Sequence, residues 1–352
     1  MIPRHRSTGW LAGLVLLLAI FMSLPAGGLA QAGNALVIYT ARDKSIFDYV
    51  VAKFEERYPE YKDNVQVLNM GAQQELERVR AEKANPQADI WWGGTQQAFD
   101  IAAQEGLLAS TKPSFANQIP AQDKGANGTW FGEILLPEVI MYNSQALKPN
   151  EAPQDWDDLL APKWKGKIII RAVAPSGTMH TIFDSMIARF YKVDNNPNRG
   201  YDWLRKLDAN TKSYAADPTA LYLAIARQEG LVTVWDLQDI LIEKEQQKLP
   251  FDYVMPKSGA PVLVDGVAEV KGAKHAQAAD RFLELLYTPE VRLALTAEFY
   301  QISTAPMASM PQPAWLKNLR LKTMDVPWGL ITAHDQEWIQ YWDQNIKGKG
   351  AR

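Results

Sequence analysis

Short apolar runs and longer amphipathic stretches alternate along most of this chain, and this alternation limits the fold more than any other feature of the sequence. The run from Ala35 to Tyr39 is typical of a buried strand. In the stretch that follows, Ile46, Val50 and Phe54 recur every four positions and define one face of a helix over 45–58. The same order predicts further strands at 65–68, 88–92, 139–142, 168–170 and 231–235, and further helices ending near Lys83 and at 96–105, 178–190 and 218–229. Strand–helix–strand order predicts an α/β fold, with parallel sheets covered by helices on both faces.

The strand–helix pattern runs through the chain twice, because it restarts near Val139. Apolar runs at 262–264 and 268–270 predict two short strands that return late in the chain, and 334–346 predicts a terminal docking helix. A chain of 352 residues is long enough for two domains. Ligands of open α/β sheets bind beyond the carboxyl ends of the strands. We therefore expect two lobes with a ligand site in the strand-end loops between them.

The N-terminus has the order of a secretory signal peptide. Arg4 and Arg6 precede an apolar run from Leu11 to Leu24, and Ala30 and Ala32 frame a small-residue cleavage site. The apolar run is shorter than the roughly 20 residues that a membrane-spanning helix needs. We predict cleavage after Ala32 and a periplasmic location; an uncleaved membrane anchor is the alternative.

Composition excludes several function classes. The net charge falls from −3 to −5 when Arg4 and Arg6 are removed, whereas a nucleic-acid-binding protein shows a basic face, so we expect no nucleic-acid partner. The absence of cysteine excludes thiol chemistry, iron–sulfur clusters and cysteine zinc sites. The chain has neither a G-x-S-x-G nor an H-E-x-x-H motif, and a Ser176–His180 dyad has no evident acid to orient it. The sequence therefore predicts a protein that is not an enzyme, with no cofactor and no bound metal.

The turn Ser176–Gly177–Thr178 is the sharpest candidate for ligand binding. It follows a predicted strand and opens a predicted helix, where free backbone N–H groups and the helix dipole favour an anion. Gly177 allows a close backbone approach, and the two hydroxyl groups add donors. The alternative is that Ser176 only caps the helix.

Two further turns are candidates at the ends of the first and third predicted strands. The first is Thr40–Ala41–Arg42, where Arg42 is suited to a two-pronged hydrogen bond with an anion unless it is a solvated surface residue. The second holds Trp92 and Gly93: Trp91 and Trp92 should point to opposite faces, so that one lies in the core and the other faces the cleft.

Trp235 and Asp236 end a later predicted strand. The Asp236 carboxylate is suited to accept from an amine or a hydroxyl of a ligand, and Trp235 is suited to face a cation. The alternative is that Asp236 caps the next helix.

Seven segments, in order along most of the chain, resemble periplasmic substrate-binding proteins of ABC transporters, in the branch that holds ferric-ion, phosphonate, phosphoglycerate and hexose-phosphate binders. They are LVIYTARDKSIFDYVVAKFEERYP from Leu36, NPQADIWWGGTQQAFDIAAQEGLL from Asn85, VIMYNSQAL from Val139, WDDLLAPKWKGKIII from Trp156, PSGTMHTIF from Pro175, ALYLAIARQEG from Ala220 and GVAEVKGAKHAQAADRFLELLYTPE from Gly266.

The resemblance implies an α/β, two-lobed type II binding-protein fold that closes on its ligand, a transporter permease as partner, and a monomer. On that basis we expect a signal peptide at 1–32, an N-terminal lobe of 33–138 plus 265–312, and a C-terminal lobe of 139–264 plus 313–352. Chain crossovers between the lobes are expected near 135–141 and 262–270.

The resemblance also bears on the ligand. It implies that the Ser176–Gly177–Thr178 turn holds a phosphate or a similar oxyanion, with Thr40 and Ala41 opposite and the rest of the solute facing Asp236 and Trp92. Ferric-binding relatives use a His, a Glu and paired tyrosines at positions that here hold Asp43, Gly94 and the Trp235–Asp236 region, and one carboxylate is too few for a ferric site. We therefore expect an organic phosphonate or organophosphate such as 2-aminoethylphosphonate. The alternatives are a metal-binding protein of an importer, a ligand-sensing domain and a secreted hydrolase.

Overall fold

The computed structural model describes residues 35–307 and 310–350, and the predicted signal peptide lies outside these ranges. Ten strands are formed: β1 Leu36–Thr40, β2 Val65–Asn69, β3 Ile90–Thr95, β4 Phe131–Asn143, β5 Ile168–Arg171, β6 Thr211–Ala215, β7 Val232–Asp236, β8 Phe251–Val254, β9 Val262–Glu269 and β10 Ile302–Ser303. Eleven helices accompany them in the described part: α1 Lys44–Arg57, α2 Ala72–Ala81, α3 Gln96–Gln104, α4 Gly177–Asp194, α5 Asn198–Asn210, α6 Pro218–Ala226, α7 Leu237–Glu245, α8 Ala276–Leu286, α9 Pro289–Glu298, α10 Ala314–Asn318 and α11 Trp328–Asn345. In the described ranges, every helix is too short or too polar to cross a bilayer.

The long strand β4 joins two sheets. Residues 131–137 of β4 pair with β9, next to β3, β1 and β2, while residues 138–143 pair with β7 and β8. Beyond β7 lie β5 and β6, so the strand order is β2-β1-β3-β9-β4-β7-β5-β6. Strands β1, β2 and β3 run parallel, as do β5, β6 and β7, as the strand–helix order predicts. The predicted two-lobed α/β fold is confirmed; the exact lobe boundaries stay a prediction.

Each sheet has its own hydrophobic core. Helices α1, α8 and α9 bury apolar side chains such as Phe54 and Phe282 on one face of the β1–β3 sheet, and α2 and α3 cover the other. The second core holds α4, α5, α6 and α7. The terminal helix α11 inserts Trp338 and Trp342 into this second core, as expected of a docking helix.

The two lobes touch on one side of the cleft between them. The amide of Gln73, in the first turn of α2, donates to the carbonyl of Pro175 over 3.4 Å. A Cβ on Gly71 would lie 2.1 Å from that carbonyl oxygen, and a Cβ on Gly177 would lie 2.5 Å from Cγ2 of Thr95. Since real side-chain atoms do not approach so closely, glycine at both positions lets the lobes meet.

Two details of the predicted strands are wrong. The runs at 262–264 and 268–270 belong to one continuous strand, β9, which includes Gly266. Gly266 fits because it pairs with Gly132 and Gly94, where bulges in both neighbouring strands bring the backbones close together. The run at 139–142 is only the second half of β4, which begins eight residues earlier at Phe131.

Candidate ligand-binding site

A cavity of about 420 Å³ lies between the lobes, at the carboxyl ends of the parallel strands. Eight of the ten predicted site residues line it: Ala41, Arg42, Gly93, Ser176, Gly177, Thr178, Trp235 and Asp236. Thr40 and Trp92 do not. The loops after β1, β3, β5 and β7 therefore meet as the α/β topology requires.

The first turn of α4 is compatible with both interpretations of the Ser176–Gly177–Thr178 motif, as a helix cap and as an anion-binding turn. Ser176 is the N-cap residue, and its hydroxyl accepts from the amide of Met179 over 3.3 Å. The same serine, with Gly177 and Thr178, lines the cavity. Because the first N–H groups of a helix have no acceptor within the helix, those of Gly177 and Thr178 are available to a ligand oxyanion.

Arg171 is the site residue that the sequence analysis missed. It is the last residue of β5, is 6% exposed and lines the same cavity. Its Nη1 donates to the carbonyl of Ala172, Nε has no partner, and no carboxylate in the described ranges forms an ion pair with it. Burial lowers the pKa of Arg171, but an arginine stays charged in proteins. The signal in the sequence was a cation directly after the apolar run Ile168–Ile169–Ile170.

Arg42 lines the cavity but is already paired with protein carboxylates, which corrects the predicted two-pronged contact with a ligand. Its Nη2 lies 2.6 Å from Glu133 and 2.8 Å from Asp265, and all three side chains are buried. The charge of Arg42 is therefore neutralised inside the protein and is not available as a free anion-binding group.

The prediction that Trp92 faces the ligand is wrong. Trp91 and Trp92 do point to opposite faces of the sheet, but both rings are fully buried. Trp92 packs edge-on against Phe282 and donates its N–H to Glu133, so helices cover both faces of β3 and leave neither ring in the cleft.

Thr40, another predicted site residue, is also fully buried. Its hydroxyl accepts from the amide of Arg42 and so stabilises the turn after β1. Gly93 has a φ of +107°, and a Cβ added to it would lie 3.2 Å from the backbone nitrogen of Ala41.

Acidic side chains gather at the end of β7. Asp236 is 4% exposed and caps α7 by accepting from the amide of Asp239 over 2.8 Å. Asp239 accepts from the hydroxyl of Tyr222 and from the indole N–H of Trp235. Burial raises the pKa of Asp236 well above its usual range and also raises that of Asp239, and their mutual repulsion adds to the rise for Asp236. With Asp265, these carboxylates form an acidic cluster on the cavity wall.

Glu138 lies behind this cluster and was not predicted from the sequence. It is fully buried in β4, opposite Asp236 of β7, and neither carboxylate oxygen has a hydrogen-bond partner in the described ranges. Burial raises its pKa well above the usual range, and the charges of Asp236, Asp239 and Asp265 raise it further. In the described ranges, Arg42 pairs only with Asp265 of this cluster, so Asp236, Asp239 and Glu138 have no ion-pair partner on the acidic side of the cavity.

Helix capping divides the cavity electrostatically. The N-termini of α1, α6 and α7 are capped by the carboxyl groups of Asp43, Asp217 and Asp236, which accept from backbone N–H groups that an oxyanion would otherwise use. By contrast, α2 and α4 begin with the neutral residues Gly71 and Ser176 and meet at the lobe contact. The positive potential that an oxyanion needs therefore remains beside Arg171, at α4 and α2.

Residues 50–323 match the model of a family described as bacterial extracellular solute-binding proteins. The match covers well over half of the chain. The protein belongs to this family.

The curated relatives of this solute-binding protein include two that are named for different solutes. It is 27% identical over 286 residues to the probable ABC transporter periplasmic-binding protein y4fP of Sinorhizobium fredii, covering 80% of this chain and 79% of the relative. It is 28% identical over 262 residues to a candidate 2-aminoethylphosphonate-binding periplasmic protein of Salmonella typhimurium, with 68% and 74% covered. It is 26% identical over 279 residues to iron uptake protein A1 of a Synechocystis strain, with 75% and 74% covered. Of these relatives, one is named for 2-aminoethylphosphonate and one for iron, so the named solute is not shared.

Two solved structures match this solute-binding protein closely in fold. The periplasmic binding protein P5PA superposes with a TM-score of 0.77 at 26% identity, covering 89% of this chain and all of the other. AfuA of Actinobacillus pleuropneumoniae, solved with fructose-6-phosphate, superposes with a TM-score of 0.77 at 25% identity, with 89% and 98% covered. These similarities show the periplasmic binding-protein fold, in accordance with the predicted family.

The positions aligned with a ferric site have other roles in this solute-binding protein. Asp43 accepts from the amide of Ser45 over 2.8 Å as the cap of α1, and Gly94 packs against the ring of Trp91. Within the described ranges, the cleft does not bring three His, Asp or Glu ligand atoms together closely enough to share an ion. His180, considered above for a dyad with Ser176, instead contacts Asp335 through Nδ1.

Proposed function

We propose that this solute-binding protein captures a small organic zwitterion, with an oxyanion at one end and an amine at the other, and delivers it to an ABC importer by closing its lobes. One observation carries the proposal: the cavity holds a buried arginine that lacks an ion-pair partner in the described ranges and, on the adjoining strand end, an acidic cluster in which Asp236 and Asp265 are buried and Asp239 is half-buried. A phosphonate or phosphate ester with a short aminoalkyl group has this charge pattern.

The oxyanion end of the ligand would bind where α4 begins. Arg171 offers a guanidinium fork, and Ser176, Gly177 and Thr178 offer hydroxyl and amide donors. These groups come from one lobe, whereas Gly71 and Ala72 at the start of α2 come from the other. An oxyanion held between the two helix starts would favour the closed form, which is how a ligand shifts a hinge equilibrium.

The amine end would bind at the acidic cluster. Asp236 and Asp239 lie at the end of β7, which runs beside the β5 strand that carries Arg171. An ammonium group there supplies the positive charge that the buried carboxylates lack, and it lets them stay ionised. The candidate 2-aminoethylphosphonate-binding relative supports this pairing, and the fructose-6-phosphate bound in AfuA supports the oxyanion end.

A metal ion in the cleft is the weaker alternative. Iron uptake protein A1 gives it some support. However, the positions aligned with ferric ligands hold a capping aspartate and a packed glycine, and the three aspartates of the acidic cluster are partly satisfied by protein donors. Ferric iron requires several hard oxygen donors that converge on one point.

Calorimetric titration of the mature protein with four organic ligands, and with ferric citrate as a fifth, tests the proposal. We expect 2-aminoethylphosphonate to bind most tightly, and ethylphosphonate and ethanolamine, which each lack one charged end, to bind at least about tenfold more weakly, because each loses a charge-assisted contact. Fructose-6-phosphate separates the two ends, since it has the oxyanion but no amine.

The outcomes are distinct. Stronger binding of fructose-6-phosphate than of 2-aminoethylphosphonate would overturn the amine assignment and leave the oxyanion end in place. Stoichiometric binding of ferric citrate, with no response to any organophosphate, would overturn the whole proposal. If the oxyanion end is correct, R171Q should weaken binding of every phosphonate and phosphate-ester ligand, whereas D236N should weaken binding only of those with an amine.

A further inference from the structure

Three side chains with metal-binding chemistry meet outside the cleft, where α4 packs against α11. They are His180 and Asp184 of α4 and Asp335 of α11, and each offers one ligand atom so that all three atoms lie within 4.8 Å of one another. The Nδ1 of His180 is 2.6 Å from Oδ1 of Asp335. His180 is 9% exposed and Asp184 is fully buried, so the group is part of the protein interior.

The hydrogen-bonding capacity of this group is not satisfied by the protein. Neither carboxylate oxygen of Asp184 receives a donor from the described ranges, and Nε2 of His180 is also without a partner. An unsatisfied buried polar atom destabilises the folded state, and an unpaired buried charge does so more strongly. In the described ranges, no Lys or Arg forms an ion pair with Asp184 or Asp335, and His180 is the basic side chain that contacts Asp335.

The spacing and the donor types suit a metal ion. Residues four apart on a helix face the same side, so His180 and Asp184 form a two-ligand clip, and Asp335 approaches from the facing helix. One imidazole nitrogen and carboxylate oxygens are ligands that Zn²⁺ and similar divalent transition ions accept. A divalent cation would neutralise both carboxylates and occupy their free lone pairs.

We propose that His180, Asp184 and Asp335 bind a divalent transition-metal ion of the Zn²⁺ class, which ties α4 to α11. Water completes the coordination from a groove that reaches His180 and Asp335 between α2 and α11. The site is independent of the cleft ligand, although His180 is one helical turn after Ser176 and so anchors the helix that opens the cleft.

Zinc titration of the mature chain, purified without a histidine tag and stripped with a chelator, tests the site. We expect one Zn²⁺ to bind per chain in competition with a chromophoric chelator, and the melting temperature to rise by several degrees at a hundredfold excess over Kd. Loading with Co²⁺ should give visible absorption bands typical of a nitrogen and oxygen ligand set.

The matched variants are D184N and H275Q. Asn keeps the shape of the buried carboxyl group but is a poor metal ligand, so D184N should remain folded and lose more than about 100-fold in Zn²⁺ affinity, beyond the 10–100-fold that an outer-shell partner contributes. His275 contacts Asp89 in a second, separate His–Asp pair. H275Q should therefore bind Zn²⁺ as the parent does.

Three results would overturn the proposal: no Zn²⁺-dependent rise in melting temperature, unchanged affinity in D184N, or loss of zinc binding in D236N instead of D184N. The last would mean that the ion binds in the cleft. A folded D184N without zinc binding supports the site, and circular dichroism separates that result from unfolding.

Discussion

At the residue scale, the two arginines of the cavity have different roles because their partners differ. Arg42 contacts two carboxylates and so contributes to the structure of the first lobe. Arg171 is equally buried but has no ion-pair partner in the described ranges. A buried cation in that position is costly unless an anion joins it, so we propose that the ligand is its counter-ion.

R171Q should weaken binding of an oxyanionic ligand by roughly 10- to 100-fold, because a hydrogen bond to a charged group contributes about 1.5–3 kcal/mol. The melting temperature should stay unchanged or rise, since the unpaired buried charge is gone. R171K is the control: it keeps the charge but loses the guanidinium fork, and should give an intermediate affinity. Equal ligand affinities of the parent, R171Q and R171K would show that Arg171 does not contact the ligand.

The raised pKa of Glu269 predicts that the free energy of unfolding depends on pH. It is buried at the end of β9, and burial, with the charges of Asp280 and Asp89, raises its pKa to about 7. The folded state therefore binds the proton more tightly than the unfolded state does. The resulting stability is fully present below the unfolded pKa of roughly 4.5 and is lost as the pH rises through 7.

E269Q, which is neutral at every pH, should be more stable than the parent at pH 8 by on the order of 2 kcal/mol, with little difference at pH 4.5. Urea unfolding at both pH values measures this. E298Q, at an exposed glutamate of α9, is the control and should show no such pH-dependent gap. A gap of equal size at both pH values would contradict the linkage.

The residues that the sequence could identify are those with a local signature. Ser176, Gly177 and Thr178 open a helix after a strand, and Asp236 ends an apolar run, so both were found. Trp92, Arg42 and Glu138 depend on contacts with residues far away in the chain, such as Phe282, Asp265 and Asp236. Such long-range pairings leave no pattern in the sequence near the residue.

At the element scale, the start of α4 has a structural role and a binding role that mutation can separate. The hydroxyl of Ser176 accepts from the amide of Met179 and caps the helix. Thr178 is half-buried and lines the cavity. The Ser176 cap stabilises the folded protein even without ligand, whereas the hydroxyl of Thr178 is not required for the stability of the helix.

S176A should lower the free energy of unfolding by about 1 kcal/mol through loss of the cap, and should also weaken ligand binding. T178A should change stability by less than about 0.5 kcal/mol and lower affinity roughly 2- to 10-fold, the contribution of one neutral hydrogen bond. Unfolding titrations and calorimetry on the two variants check this. A T178A protein that binds as the parent does would limit the oxyanion contacts to backbone groups and Ser176.

Among the elements, periodicity located six helices, including α1, α4 and α11, and the most buried strands. It missed α7, α8, α9 and α10, and also α5, where Gly200 lies in the first turn and polar residues surround the buried Tyr201, Trp203 and Leu204. That glycine is required by packing: a Cβ would lie 2.5 Å from Cα of Ile187 on α4. Close helix contacts of this kind are set by tertiary structure, which a propensity argument does not include.

At the scale of the whole molecule, the lobe contact sets how far the cleft closes. Gly177 of α4 meets Thr95 and Ala72 of the other lobe, and Gly71 meets Pro175. G177A should therefore resist closure and lower ligand affinity while leaving stability unchanged or higher, since alanine favours a helix. Adding T95S removes the methyl group at 2.5 Å and keeps the hydroxyl that caps α3, so the double variant should recover affinity.

Calorimetry on G177A and on the double variant measures this effect. Recovery in the double variant assigns the loss to the lobe contact. If T95S does not restore affinity, the added methyl group acts on the ligand directly and not on closure.

Strand β4, which belongs to both sheets, also affects how the protein unfolds. Its partner changes from β9 to β7 between Pro137 and Glu138, and Pro137 has no N–H to contribute to the ladder at this junction. The strand can bend there, but neither core can melt without removing half of a strand that the other core needs. Unfolding should thus be a single cooperative event, and a fluorophore attached to either lobe should report ligand-induced stabilisation of the entire chain.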